Sequence, residues 1–293
     1  MKQLLFYIGL SIFLSSCLDL DENLFNPDTS ISEYQFDDFE GIQEIDVSEY
    51  TIPQDSITLF TLEVGTNGEK IYATYVGDIS RIGLDTVILY CHGNAGHMDF
   101  YWPRTKLLAN VGGLCNYGVL TFDYRGYGLS EGKPSEDNMY EDSDAAIQWL
   151  KDQGLNDDRF MMYGFSLGAA AVCELTANPR TIAPSKIMLE SPFASADVMV
   201  QDGSGLSLPK SFFVNLEIDN AEEIKKISQP FYWIHGTIDD FLDINTHGEV
   251  VYKNYQGTYS EAHRIVGANH ADVPLVMGFE AYIESLKNFI TLN

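Results

Sequence analysis

The sequence predicts an α/β fold with a mostly parallel sheet of about eight strands and helices on both faces. Short, unbroken apolar runs recur along the chain, as in strands that are buried on both faces. Helical periodicity separates these runs, and 293 residues of which 45% are hydrophobic can form one large core. The runs cover residues 86–91, 119–122, 160–163, 186–189, 231–234 and 263–266.

An antiparallel hairpin precedes these runs. Residues 57–63 and 70–76 read as strands, and a glycine-containing turn at residues 65–68 separates them. Five segments have helical patterns, and the irregular stretch 194–218 is a candidate for a minimal cap. The predicted helices cover residues 100–109, 137–151, 167–177, 247–255 and 276–289.

The N-terminal part divides into a predicted signal peptide at residues 1–16, an acidic tether and extension at 17–50, and the main domain at 51–293. Lys2 and the apolar residues 4–14 fit a secretory signal, which is too short to span a bilayer. Leu14-Ser15-Ser16-Cys17 resembles the lipobox of bacterial lipoproteins, which implies a lipid anchor at Cys17 and a location in the bacterial cell envelope. An ordinary signal peptide that contains a cysteine is the alternative.

The residues after Cys17 carry further information on location and packing. Asp19, Asp21 and Glu22 resemble the tags of surface-exposed lipoproteins in some Gram-negative bacteria, which adds the expectation of an outer-membrane position. The later part of the extension, with Tyr34, Phe36 and Phe39, is expected to pack on the domain.

Charge and cysteine content exclude several classes of function. The 17 Lys and Arg against 43 Asp and Glu give a net charge of -26, which opposes binding to nucleic acid. Beyond Cys17, three cysteines at irregular spacing argue against a disulfide framework and against a metal site. The sequence contains no phosphate-binding or dinucleotide motif, so we expect no cofactor.

The motif Gly164-Phe165-Ser166-Leu167-Gly168 joins an apolar run to a segment of small residues. This pattern predicts a strand, a tight turn that exposes the Ser166 hydroxyl, and a helix whose first N–H groups can meet an oxyanion. A serine needs a base to take its proton and an acid to orient that base.

Both partners follow Ser166 in the chain order expected for such a sheet. Asp239 follows the run 231–234, and Asp240 and Asp243 are alternatives in the same acidic loop. His270 is the histidine that falls between the last strand and the last helix, which makes it the candidate base.

Five ordered blocks make the sequence resemble the α/β-hydrolase superfamily, in the small-cap branch that includes membrane-associated serine hydrolases and protein depalmitoylases. The resemblance implies an α/β-hydrolase fold, a Ser166, Asp239 and His270 triad, and an oxyanion hole from the N–H groups of Asn94 and Leu167. Asn269 departs from the pattern, since the family usually has glycine before the histidine. The blocks are His92–Gly96, Asp123–Gly132, Gly164–Gly168, His235–Asp239 and Gly267–His270.

Two further residues are candidates for contact with substrate. His97 lies near the oxyanion loop, and Phe193 follows the sixth strand in a stretch that resembles a family block. The expected function is a lipid-anchored serine hydrolase that cleaves an ester, thioester or related acyl bond in a small-molecule or acylated substrate. A serine peptidase of the same fold and a non-catalytic surface binding lipoprotein are the alternatives.

Overall fold

The computed structural model describes residues 24–204 and 216–292 of the chain. Strands and helices alternate through this part, as the periodicity of the sequence predicts. Its strands are β1 (Asn26–Pro27), β2 (Ile57–Val64), β3 (Glu69–Val76), β4 (Val87–Cys91), β5 (Ala95–Gly96), β6 (Gly118–Phe122), β7 (Phe160–Phe165), β8 (Lys186–Glu190), β9 (Phe231–Gly236) and β10 (Ser260–Ile265). Its α-helices are α1 (Met98–Ala109), α2 (Glu136–Asp152), α3 (Gly168–Ala177), α4 (Ala196–Ser204), α5 (Asn220–Glu223), α6 (Gly248–Asn254), α7 (Val273–Met277) and α8 (Phe279–Ile290).

Eight of the described strands form one sheet in the order β10-β9-β8-β7-β4-β6-β3-β2. Strand β3 is antiparallel to its neighbours β2 and β6, and the other pairs in this sheet are parallel. The predicted mostly parallel sheet of about eight strands and the predicted hairpin, which is β2–β3, are confirmed. In such a sheet, ligands bind outside the carboxyl ends of the parallel strands.

The prediction of a single helix over residues 276–289 is wrong in one respect. The structure has two helices there, α7 and α8, separated at Gly278. Gly278 has a φ of 86°, a left-handed conformation that cannot continue a right-handed helix. Of the predicted cap, α4 belongs to the described part and residues 205–215 lie outside it.

Two hydrophobic cores lie on opposite faces of the sheet. One contains side chains of α2 and α3, and the other contains side chains of α1 and α8. Because both faces are covered, β4, β6, β7 and β9 are buried along their whole length. No helix within residues 24–204 or 216–292 combines the length and apolarity that a bilayer crossing requires.

Residues 24–52, called the N-terminal segment below, pack against this domain. Tyr34 and Phe36 are buried, as expected for the later part of the extension, and Phe39 is half-buried. Packing begins earlier than expected, because Phe25 is also buried in the core. The described part of the predicted tether is therefore attached to the domain, while the predicted signal peptide and Cys17 lie outside the described residues.

Candidate active site

Ser166 lies in the turn between β7 and α3, at the carboxyl edge of the sheet. Its φ of 51° is unusual for a residue with a side chain, and such strain persists only where surrounding structure enforces it. The Ser166 N–H donates to the carbonyl of Glu190 at 3.0 Å. A Cβ at Gly164 would lie 2.7 Å from the Gly168 carbonyl oxygen, and one at Gly168 would lie 1.9 Å from that of Cys91. Both glycines are therefore required by close backbone approach.

Three side chains from distant parts of the chain meet at this turn. The Ser166 Oγ lies 3.0 Å from Nε2 of His270, and the His270 Nδ1 lies 2.8 Å from Oδ2 of Asp239. Nδ1 donates to the carboxylate, which leaves Nε2 free to accept from the serine hydroxyl. The imidazole packs between the rings of Phe165 and Phe241, at centroid distances of 5.2 and 5.0 Å. The structure thus brings together the three residues that the sequence selected.

Asp239 is buried and surrounded by hydrogen-bond donors. Its Oδ1 accepts from the N–H groups of Phe241 at 3.0 Å and Leu242 at 2.7 Å. Its Oδ2 also lies 3.0 Å from Nε2 of His235. Burial raises the pKa of Asp239, but hydrogen bonds from His235, His270 and Leu242 outweigh it and hold that pKa below its usual value. The carboxylate is therefore ionised and can orient the His270 ring.

The two alternative acids occupy other positions. Asp243 accepts from the N–H of Asn245 at 2.8 Å, and the N–H of Asp240 donates to Oδ1 of Asn269 at 3.0 Å. The same Asn269 oxygen accepts from the N–H of His270 at 2.7 Å. Asn269 therefore links the acid loop to the base.

Asparagine tolerates left-handed backbone geometry better than most residues. That geometry does not explain Asn269 in place of the family's glycine. Asn269 is not among the described non-glycine residues with positive φ. The side-chain amide bridges two loops instead, which is a function that glycine cannot perform.

The two expected oxyanion donors flank Ser166 at the same edge. Leu167 begins the first turn of α3, and Asn94 lies in the loop between β4 and β5. Within the described chain, neither backbone N–H has an intramolecular hydrogen-bond acceptor. The side chain of Asn94 is held by the N–H of Asn26 at 2.8 Å and the hydroxyl of Tyr127 at 3.1 Å.

A cavity of about 540 Å³ opens over Ser166 and His270. Its wall is mainly apolar, and one side belongs to the N-terminal segment. The lining residues are Asn26, Ile42, Gln43, Glu44, Asn94, Ala95, Phe100, Tyr101, Phe165, Ser166, Phe241, His270 and Ala271.

Neither residue expected to contact substrate lines this cavity in the described part of the chain. His97 is buried at the start of α1 and lines a neighbouring cavity of about 490 Å³, with Nε2 at 3.9 Å from the Asp28 carboxylate. Phe193 is 2% exposed and belongs to the hydrophobic core. A contact of His97 or Phe193 with substrate therefore stays a prediction.

Arg104 of α1 connects the serine and histidine loops and was not selected by the sequence analysis. Its guanidinium lies 4.1 Å from the Phe165 ring centroid and donates to the carbonyl of Ala271 at 3.3 Å. These residues directly precede Ser166 and follow His270. The carboxyl groups of Glu44 and Glu190 each lie 3.3 Å from the guanidinium, so a buried cluster of ionisable side chains supports both loops.

A nucleophilic serine, an imidazole and a carboxylate at the carboxyl edge of such a sheet define the α/β-hydrolase class. A family model described as the alpha/beta hydrolase fold matches residues 86–205. The chain belongs to the α/β-hydrolase superfamily.

Named relatives and solved structures agree with this assignment. The chain is 33% identical over 207 residues to alpha/beta hydrolase domain-containing protein 17B of Xenopus tropicalis, covering 70% of this chain and 66% of that protein. It is 31% identical over 207 residues to protein 17C of Homo sapiens, covering 70% and 57%. The matches thus span about two thirds or less of these relatives.

Among solved structures, an esterase from Pyrococcus furiosus superposes with a TM-score of 0.68 at 19% identity, over 91% of this chain and 97% of that one. Est1E from Butyrivibrio proteoclasticus with bound ferulic acid gives a TM-score of 0.62 at 18% identity, over 79% and 97%. At these identities the likeness shows the fold. Within residues 24–204 and 216–292, no cluster of three or more His, Cys, Asp or Glu side chains is suited to hold a metal.

Proposed function

We propose that this protein is a serine hydrolase that cleaves an ester, thioester or related acyl bond through an acyl-enzyme. The observation that carries the proposal is the chain of contacts from Ser166 Oγ to His270 Nε2 at 3.0 Å and from His270 Nδ1 to Asp239 at 2.8 Å. This chain opens onto a cavity that can hold a substrate.

In the first half of the reaction, Ser166 Oγ attacks the acyl carbonyl carbon while its proton moves to Nε2 of His270. The carbonyl oxygen becomes an oxyanion, which accepts hydrogen bonds from the N–H groups of Asn94 and Leu167. The carbon–oxygen or carbon–sulfur bond then breaks, and the His270 proton passes to the departing alkoxide or thiolate. Asp239 stabilises the imidazolium that exists between these steps.

In the second half, water attacks the acyl-serine and gives a proton to His270 Nε2. The tetrahedral species collapses, the acid is released, and the proton returns to Ser166 Oγ. The mainly apolar wall of the cavity favours an apolar acyl group or leaving group, because burying apolar surface stabilises the complex by about 25 cal/mol per Å².

A Ser166→Ala variant tests the proposal. We expect its kcat for p-nitrophenyl esters to fall about 10⁶-fold and its covalent labelling by a fluorophosphonate to disappear. Ser228→Ala, at an exposed serine outside the described cavity, is the control and should keep both. Absence of labelling in the wild-type protein would favour the non-catalytic binding protein. Faster release of amino acids from short peptides than of p-nitrophenol from esters would favour the peptidase.

We also propose that Cys17 is lipidated and anchors the protein to the bacterial cell envelope, on the outer surface of the outer membrane. Leu14-Ser15-Ser16-Cys17 and the acidic residues after it support this proposal. Mass spectrometry of the mature N-terminus and membrane fractionation of Cys17→Ser test it. A wild-type N-terminus without lipid would contradict the proposal.

A further inference from the structure

The N-terminal segment is hydrogen-bonded to the loop that carries one of the two expected oxyanion donors. Strand β1 pairs in parallel with β5, so that Asn26 lies beside Ala95 and Pro27 beside Gly96. The N–H of Asn26 donates to the Asn94 side-chain oxygen at 2.8 Å. The segment therefore contacts the side chain of Asn94, whose backbone N–H is one of the two expected oxyanion donors.

A second set of contacts fixes the segment between two loops. The N–H of Asp28 donates to the Gly96 carbonyl at 3.1 Å, and the Asp28 carbonyl accepts from the N–H of Gly128 at 3.0 Å. The Tyr127 hydroxyl, next to Gly128, is the other donor to Asn94 Oδ1. Residues 26–28 thus hold the oxyanion loop against the loop that follows β6.

The same segment also closes one side of the substrate cavity. Ile42, Gln43 and Glu44 line the cavity that contains Ser166 and His270. Ile42 is 84% exposed, although it is a large apolar residue that lines the same wall as Phe100. An exposed isoleucine at the mouth of a mainly apolar cavity provides surface that a bound acyl group can cover.

We propose that the N-terminal segment contributes to catalysis and to substrate binding, through two separable roles. The Asn26 N–H positions the oxyanion loop through Asn94, and Ile42 contributes to binding of the acyl group. The inference rests on the proposed acyl-hydrolase function. It makes residues 24–52 a determinant of turnover and of acyl-chain preference.

The two roles predict different kinetic signatures. Loss of an oxyanion donor costs about 10²–10³-fold in kcat, and a donor that is displaced rather than removed costs less. We expect about a 10-fold loss of kcat when the Asn26 N–H is absent, with KM little changed. Loss of apolar surface at Ile42 weakens binding of substrate, so it raises KM in proportion to the acyl surface that is covered.

Asn26→Pro and Asn26→Ala form a matched pair, because both remove the asparagine side chain and only proline removes the N–H. The proposal expects kcat for p-nitrophenyl butyrate to be about 10-fold lower in Asn26→Pro than in Asn26→Ala, at similar thermal unfolding midpoints. Equal kcat values in the two variants would overturn the positioning role. Should Asn26→Pro fail to fold, Asn94→Ala removes the side-chain oxygen that accepts from the Asn26 N–H and keeps the backbone N–H of residue 94, and an unchanged kcat would then overturn the positioning role.

Ile42→Asp tests the binding role, and its high exposure makes the change compatible with folding. We expect KM for p-nitrophenyl octanoate to rise about 5-fold or more, while KM for p-nitrophenyl acetate changes less than 2-fold. The same KM change for both esters would contradict a contact with the acyl chain.

Fluorophosphonate labelling separates a failure of this inference from a failure of the proposed function. If the wild-type protein is labelled at Ser166 and the Asn26 pair has equal kcat, the hydrolase proposal holds and the positioning role is wrong. If the wild-type protein is not labelled, the hydrolase proposal itself is wrong.

Discussion

Asp239 and Glu44 are buried carboxylates that line or support the same site, and their pKa values are shifted in opposite directions. Asp239 has hydrogen-bond donors on both oxygens, from His270, Phe241 and Leu242. Glu44 lies 3.3 Å from the Arg104 guanidinium, but neither of its oxygens has a hydrogen-bond donor among the described residues. Burial, together with nearby Glu190 and in spite of Arg104, raises the pKa of Glu44 to about 8.

The comparison shows that aligned donors, and not mere proximity of a positive charge, keep a buried carboxylate ionised. The Arg104 guanidinium lies near two carboxyl groups. Glu190 has hydrogen-bond donors that Glu44 lacks, since the hydroxyls of Tyr163 and Tyr282 both donate to Glu190 Oε2. The pKa of Glu44 is therefore raised, whereas that of Asp239 is lowered. Asp239 is equipped to orient the His270 imidazole, and Glu44 lines the cavity beside Arg104.

Asp239→Asn should produce the largest effect of the changes that probe this comparison. An amide in place of the carboxylate cannot stabilise the imidazolium and favours the wrong His270 tautomer, so kcat should fall about 10⁴-fold. Steady-state kinetics with p-nitrophenyl butyrate measures the loss. Asp240→Asn is the matched control because its side chain is exposed, and it should keep activity near that of the wild type. Equal losses of kcat in both variants would mean that activity depends on the intact loop and not on the Asp239 carboxylate.

Glu44→Gln tests the protonated state of the second carboxylate. The unfolded chain releases the Glu44 proton near its ordinary pKa of 4.5, whereas the folded protein keeps it until about pH 8. The folded state therefore binds more protons in this interval, and the free energy of unfolding falls as pH rises through it. For one group the slope is at most about 1.4 kcal/mol per pH unit. Glu44→Gln should remove this contribution.

Urea unfolding at intervals from pH 5 to pH 9 measures the effect. We expect the stability of Glu44→Gln relative to the wild type to increase with pH across this range. Glu33→Gln, at an exposed acid of the same segment, should give a curve parallel to that of the wild type. If the Glu44→Gln curve is also parallel, Glu44 is ionised throughout and the comparison with Asp239 fails.

A site residue can be identified from the sequence where the local backbone geometry permits few residue types. The turn at Ser166 needs Gly164 and Gly168 because Cβ atoms would collide with backbone, so the motif is visible without coordinates. Asp239 and His270 follow strands whose carboxyl ends lie at one edge, which makes their meeting predictable from strand order.

The contribution of the N-terminal segment could not be found in this way. Its contacts use backbone groups, such as the Asn26 N–H, or buried ionisable side chains in segments without periodicity, such as Glu44. Any residue except proline can supply the first contact, so residue type carries no signal. The sequence did not indicate Arg104 for a related reason, since arginine is rarely buried, whereas α1 is buried at every position except Phe100. Only the tertiary packing of α1 directs it beneath the serine and histidine loops.

Substitution of Asn269 gives the smallest expected effect of these changes. It tests whether the loop that carries Asp239 needs the side-chain bridge to His270. Its side-chain oxygen accepts from the N–H groups of Asp240 and His270, so it joins the acid loop to the base. Asn269→Ala should lower kcat about 5-fold, the equivalent of one neutral hydrogen bond of about 1 kcal/mol. Asn269→Asp retains an acceptor for both N–H groups and should recover most of the activity. If Asn269→Ala and Asn269→Gly match the wild type, the asparagine merely replaces the family's glycine, and the N–H donors around the Asp239 carboxylate alone hold the loop in place.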